Sequence, residues 1–393
     1  MAEVGLRVAI VGGGIGGLFA ANALLAQGVS VSVYEQAPAL GEVGAAVFVT
    51  PNSVRQLERL GLGPAVEKWG ARIGPGSRYL RADGTPIAEV QITDSAGWNA
   101  VFGFHRADLV EILAGALPDG VVHTGHRCSG FEQGADSARV RFDNGATAEA
   151  DVVVAADGIH STLQHHVVPP SRPIASGSVA YRGLVPHELV PDWPQQDWLL
   201  WMGPSRHFLV YPVRAGRLIG YVGFTPTDEQ MRESWSAPGD PDTLRREFAD
   251  WDPRIGALLQ HVGTTHRWGL YDREPLPAWT AGRLTLLGDA AHPMLPHLGQ
   301  GANQSMEDGM ALATVLAHAD RDTAPAALRT YEALRRERVA AVQRGARENG
   351  LRYDSLSGDL ATRDAEMTAH RAFRRWLYDY DVVPEAEAAA APA

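Results

Sequence analysis

Residues 6–35 read LRVAIVGGGIGGLFAANALLAQGVSVSVYE, and this stretch decides the fold. Leu6 to Val11 is a short apolar run of the kind that forms a strand buried on both faces. Residues 15–27 read as a helix, and Val29 to Glu35 reads as a second strand. Between the first strand and the helix, Gly12, Gly14 and Gly17 form G-x-G-x-x-G. The first glycine makes the tight turn, the second admits a pyrophosphate close to the backbone, and the third lets helix pack on strand. The helix N-terminus, beginning at Ile15, adds N–H groups and a positive dipole end. Glu35 closes the second strand, where an acid accepts hydrogen bonds from an adenosine ribose. The fingerprint names a dinucleotide and leaves FAD and NAD open.

Two later apolar strands end in the same style. ADVVVAA over residues 150–156 runs into Asp157-Gly158, and Arg283 to Leu287 runs into Gly288-Asp289. Three buried strands with Gly or Asp at their ends suggest one open sheet whose strand ends converge on a ligand. The segment from about 172 to 275 differs: HFLVYPV and RLIGYVGF alternate like antiparallel strands with one buried face. Asp83-Gly84 lies in a hairpin-like stretch that can join this second sheet. The expected organisation is α/β. A Rossmann-like dinucleotide domain is drawn from 1–71, 101–171 and 276–320. An inserted, mainly antiparallel β-sheet domain is drawn from 72–100 and 172–275. C-terminal helices cover 321–382, and an alanine-rich tail over 383–393 reads as flexible.

Composition narrows the function classes. The 393 residues carry a net charge of -11 with no basic cluster, which argues against nucleic acid and anionic membrane as partners. Cys128 is the single cysteine, so no intrachain disulfide or cysteine-built metal site is expected. There is no secretory leader pattern and no long apolar run, so the expected compartment is the cytoplasm.

Four segments, GGGIGG, HRADL (105–109), AADGIHS (155–161) and LGDAAHPMLPHLGQGANQSMEDG (287–309), resemble those of the class A flavoprotein monooxygenases. This is the superfamily of para-hydroxybenzoate hydroxylase and salicylate hydroxylase. The resemblance implies non-covalent FAD, with NADH or NADPH and O2 as co-substrates. The expected reaction is hydroxylation of a small phenolic or carboxylated aromatic through a flavin C4a-hydroperoxide, in a monomer or homodimer. It assigns Arg106 and Asp157 to the cofactor. Asp289 would accept from the ribityl chain, and an ordinary helix cap is the rival reading. Pro296 stiffens the next loop, and Gly299, Gly301 and Ala302 bring N–H groups to the flavin's N1–C2=O edge. Gln164 stands where the family usually has an arginine. His292 is expected to brace the loop. A flavin-dependent dehydrogenase or oxidase of the same superfamily is the alternative, although Cys128 lies outside the flavin-facing motifs.

GPSRHFLVYPV over 203–213 places His207 and Tyr211 four apart on a strand and therefore on one face. The segment is similar to the salicylate hydroxylase and 6-hydroxynicotinate 3-monooxygenase branch. There a His and a Tyr at this spacing contact substrate, and the His helps deprotonate a ring hydroxyl. His297 and Pro296 are implied substrate neighbours. Arg182 reads either as a carboxylate anchor or as an ordinary sheet ion pair.

Overall fold

The computed structural model describes residues 5–41, 46–227, 237–355 and 360–391. The opening β-α-β unit is present as strand Arg7–Val11, helix Ile15–Ala26 and strand Ser30–Tyr34. Arg7–Val11 is the centre of a six-stranded sheet and pairs in parallel with Ser30–Tyr34 on one side and Val152–Ala155 on the other. Leu284–Leu286 then pairs in parallel with Val152–Ala155. The register aligns Val11 with Ala155 and Ala155 with Leu286. The three chain segments that follow, starting at Gly12, Ala156 and Leu287, therefore leave the sheet side by side. Gly12 takes φ +114°, and a Cβ there would sit 2.2 Å from the Ala156 carbonyl oxygen, so only glycine serves at this turn.

The second sheet has eight strands. Thr265–Asp272, Ile174–Pro186, Leu218–Pro226, Arg206–Val213 and Leu199–Gly203 run antiparallel in that order. The hairpin of Arg78–Arg81 and Pro86–Glu89 extends the edge, as the Asp83-Gly84 reading expected. One face buries Phe208, Val210, Trp201 and Tyr221 together with Leu244 and Leu258 from two short helices. The other face carries Tyr211, Phe224 and Leu200 toward the C-terminal helices.

Those helices are Ala324–Tyr353 and Leu360–Asp379. The alanine-rich end, expected to be loose from residue 383, is helical over Val382–Ala390. Alanine is the best helix former. Asp381 caps the helix by accepting from the Val383 N–H, and Val382 and Ala386, four apart, are fully buried. Residues 392 and 393 of that tail lie outside the described set. No helix among the described residues is long and apolar enough to cross a membrane.

Helix Gly301–Leu316 packs against both Ile15–Ala26 and Ala324–Tyr353. It contributes two acids with no solvent exposure, Glu307 and Asp308. The Arg335 guanidinium meets Glu307 at 2.7 Å and Asp308 at 2.8 Å, and Arg338 meets Glu307 at 2.9 Å. Burial alone would raise both carboxyl pKa values. For Glu307 the arginines outweigh it, and for Asp308 His292 and Arg335 do, so both are held below the usual range. Arg335→Met removes a cation shared by two buried carboxylates and is expected to cost about 3–5 kcal/mol of stability. Urea unfolding of the FAD-loaded protein reads this directly; a loss below about 1 kcal/mol would contradict it.

Candidate functional site

The three strand ends form one wall of a cleft of about 750 Å³, and the eight-stranded sheet forms another. Gly12, Gly14, Ile15 and Glu35 line it from the first unit, with Arg106, Asp157, Asp289, Pro296, Gly299, Gly301 and Ala302 from later segments. Gly17 does not. A Cβ there would lie 2.0 Å from the Gly12 carbonyl oxygen, so its role is to close the turn onto the helix. A Cβ on Gly14, by contrast, would meet no protein atom within 4 Å, which leaves its backbone open to a ligand. Glu35 accepts from the N–H groups of Gly13 and Ala37, each at 2.7 Å, and so braces the turn from its place on the cleft wall.

Asp289 is half-buried in the short turn Gly288–Ala290. Its carboxylate accepts no hydrogen bond from the described residues, so it is not spent as a cap, and its charge is coupled to Arg106. The Arg106 guanidinium is lowered by burial, with Asp289 opposing. Asp108, two residues after Arg106, binds Arg214 through two contacts of 2.7 Å. Asp157 accepts from Thr162 at 2.8 Å, and burial raises its pKa. Gln164 donates at 2.7 Å to the Ala290 carbonyl, tying the second strand end to the third. His292 braces the same loop by bonding Asp308 at 2.5 Å, as its sequence context suggested. Cys128, placed away from the flavin-facing motifs by sequence, does line the cleft. Burial pushes its thiol pKa up, which suppresses the thiolate.

A smaller chamber adjoins the cleft and shares Phe48, Leu209, Phe224, Pro296 and Gly299 with it. His207 and His297 line this chamber, whereas Tyr211 lines the cleft. The His207 ring stacks on Phe224 with centroids 4.0 Å apart, and its Nδ1 lies 2.7 Å from Asp354 Oδ1. The carboxylate selects the Nδ1–H tautomer and leaves Nε2 as an acceptor. The His297 ring is 5.1 Å from that of His207; burial first, then His207, drives its pKa well below the ordinary value, so it is neutral. Tyr211 packs on Phe48 at 4.4 Å, and burial raises its hydroxyl pKa, keeping the phenol protonated. Arg182 lies over the Trp268 ring at 4.3 Å; burial pulls its pKa down to about 10, which leaves it cationic.

The dinucleotide cleft, the unspent acid and the adjoining histidine chamber agree with what comparisons give. A family model described as an FAD binding domain matches residues 5–346. The chain belongs to the FAD-dependent aromatic monooxygenases. It is 39% identical to a 3-amino-4-hydroxybenzoate 2-monooxygenase of Streptomyces platensis, over 96% of this chain and 97% of that enzyme. It is 34% identical to the 6-hydroxynicotinate 3-monooxygenase of Bordetella bronchiseptica, over 96% of each. A solved salicylate hydroxylase substrate complex superposes with TM-score 0.86 at 29% identity, covering 99% of both chains. The protein is thus a flavoprotein hydroxylase that binds FAD and acts on an aromatic compound.

Sequence reading missed Asp354, Tyr353 and Arg374, which reach the chamber region from the C-terminal helices. It also missed Gly350. A Cβ at this position would lie 2.5 Å from the His297 ring, so a glycine in the last turn of helix Ala324–Tyr353 makes room for a chamber side chain. Gly350→Ala therefore is not expected to give the usual helix stabilisation of about 1 kcal/mol. It should weaken aromatic-acid binding about tenfold, equivalent to about 1.4 kcal/mol, with FAD content normal; titration by flavin absorbance checks both. Asp289→Ala should weaken FAD retention by about 1–3 kcal/mol. Reconstitution of apoprotein with FAD measures this, and unchanged affinity would reduce Asp289 to a turn residue.

Proposed function

We propose that the chain uses NAD(P)H and O2 to hydroxylate a one-ring phenol bearing a carboxylate, with His207 as the base that takes the phenolic proton. The observation that carries this reading is the His207–Asp354 pair on the wall of a chamber next to the dinucleotide cleft. Bound and reduced, non-covalent FAD supplies an electrophilic oxygen derived from O2. Everything else is work for this chain's residues. Gly14, Glu35, Arg106, Asp157 and Asp289 hold the cofactor along the cleft. Gly299, Gly301 and Ala302 present the N-terminal end of helix Gly301–Leu316, which would favour negative charge on a flavin bound in the cleft.

His207 accepts the ring proton at Nε2, and Asp354 stabilises the resulting imidazolium through Nδ1. A phenolate is the more electron-rich attacking ring. His297, kept neutral, donates or accepts a hydrogen bond at the substrate without adding charge. Tyr211, kept protonated on the cleft side, acts as a donor. The chamber is walled by Phe48, Leu200, Leu209, Phe224 and Leu298, which exclude water from the attacking carbon. The related enzymes named above act, by their names, on aminohydroxybenzoate and hydroxynicotinate. Both are hydroxylated ring acids, which supports the substrate class.

His207→Ala should lower hydroxylation by about 10²–10⁴-fold while FAD content stays normal. NAD(P)H oxidation should persist and be diverted to hydrogen peroxide. Raising the pH should partly restore product, because solution then ionises the phenol. Asp354→Asn should give a smaller loss in the same direction. The decisive measurement is product formed per NAD(P)H consumed across pH; wild-type coupling in His207→Ala would remove this residue from the chemistry.

A further inference from the structure

Arg374, on the helix Leu360–Asp379, is 7% exposed and lines the same chamber as His207 and His297. Its guanidinium reaches two phenol oxygens, Tyr378 and Tyr353, each at 3.4 Å, and lies over the Trp198 ring, while its Nε has no hydrogen-bond partner among the described residues. No carboxylate among the described residues lies within ion-pair distance of it. Two other buried arginines differ: Arg335 and Arg338 each meet Glu307. The charge of Arg374 also reaches neighbouring His370. Its pKa is pulled down to about 3 by burial and then by Arg374 and Arg352. A buried cation left without an anion is costly, and chains normally supply a counter-charge. His297 adds a second orphan, since its Nδ1 is buried without a partner on the same chamber.

We propose that Arg374 is the anchor for the substrate's carboxylate and that the enzyme thereby selects ring acids over uncharged phenols. This rests on the reading of the chamber as the substrate site. The chamber wall is mostly apolar and aromatic, with Ile73, Val90, Ile92, Trp198 and Leu200, and Arg374 is the only arginine or lysine among the described residues that line it. One fixed cation fits a monoanion better than a dianion. The planar guanidinium matches a carboxylate's two oxygens, which fixes ring orientation as well as affinity. His207 and Arg374 come from different elements. Holding the acid group at one and the hydroxyl at the other sets which ring carbon faces the cleft.

The test pairs each acid with its near-isosteric amide: 3-amino-4-hydroxybenzoate and salicylate against the corresponding carboxamides. Affinity is read on the FAD-loaded enzyme by flavin absorbance, and turnover by stimulated NAD(P)H oxidation. Wild type should bind at least one acid tenfold or more tightly over its amide. Arg374→Gln should weaken the acid tenfold or more and leave the amide unchanged, and Arg374→Lys should keep part of the margin. A merely structural role would weaken acid and amide alike. An unchanged margin in Arg374→Gln overturns the proposal. So does a wild type that hydroxylates amides as well as acids, an outcome that leaves the hydroxylase reading intact and needs no variant to fold. A wild type indifferent to all four compounds overturns the substrate reading and this inference together.

Discussion

The carboxylate of Asp308 is the constraint on which the site's geometry depends. Fully buried on helix Gly301–Leu316, it accepts from the Gly288 N–H at 3.2 Å, bonds His292 at 2.5 Å and takes the Arg335 Nε–H at 2.8 Å. The first two contacts fix the turn that displays Asp289; the third locks that turn to the long helix Ala324–Tyr353. Its neighbour Glu307 extends the network. It accepts from Asn52, which donates to Gln300 in the loop lining the cleft, and Gln300 in turn donates to Thr50. Desolvating so many charges and dipoles cancels much of their attraction, so such a cluster adds less stability than its contacts suggest. What it does supply is a single geometry, because any displacement leaves a buried charge unpaired. Cleft wall, loop and C-terminal helix are therefore positioned by one polar core.

The parts of this fold that were legible in sequence are those whose physics is local. A buried strand, a glycine turn and a helix follow one another within thirty residues, and the same strand-end pattern recurs at Asp157 and Asp289. Parallel pairing in register then brings the three ends together without further information. The hairpin at Asp83-Gly84 and the shared face of His207 and Tyr211 are likewise consequences of turn chemistry and the two-residue period of a strand.

What escaped the sequence depends on contacts across the chain. The stretch LRTYEALRRERVAAVQRGARE reads as a helix with a charged, solvated face, yet Arg335 within it has no exposure. Nothing in its local pattern distinguishes it from Arg336, which is partly exposed and pairs with Glu332. The distinction lies in Glu307 and Asp308, some thirty positions earlier. Asp354 and Arg374 were invisible for the same reason: one follows the end of a polar helix and the other lies within one, and only packing makes them neighbours of His207 and of the chamber. The C-terminal alanines were misjudged in the opposite sense: a low-complexity tail found a groove for Val382 and Ala386. Gly17 packs the helix on the strand as its place in the motif implied, and Cys128, outside the motifs, lines the cleft.

His207 and Tyr211 do share a face, but strand geometry places them on different cavities. Four residues of extended chain span about 13 Å at roughly 3.3 Å each, more than the width of one aromatic ring. The strand Arg206–Val213 thus runs along both cavities, with Tyr211 beside the cleft and His207 in the chamber beyond it. Their surroundings separate them further. Tyr211 is boxed in by Phe48 and by Gly220, where a Cβ would lie 3.2 Å from its ring, and it keeps its proton. His207 is stacked on Phe224 and oriented by a carboxylate. The same alternation that buries Phe208 and Val210 in the opposite core holds Leu209 between the two polar groups as an apolar partition common to both cavities. One strand so arranged puts its histidine on the chamber and its tyrosine on the cleft, with an apolar residue between them.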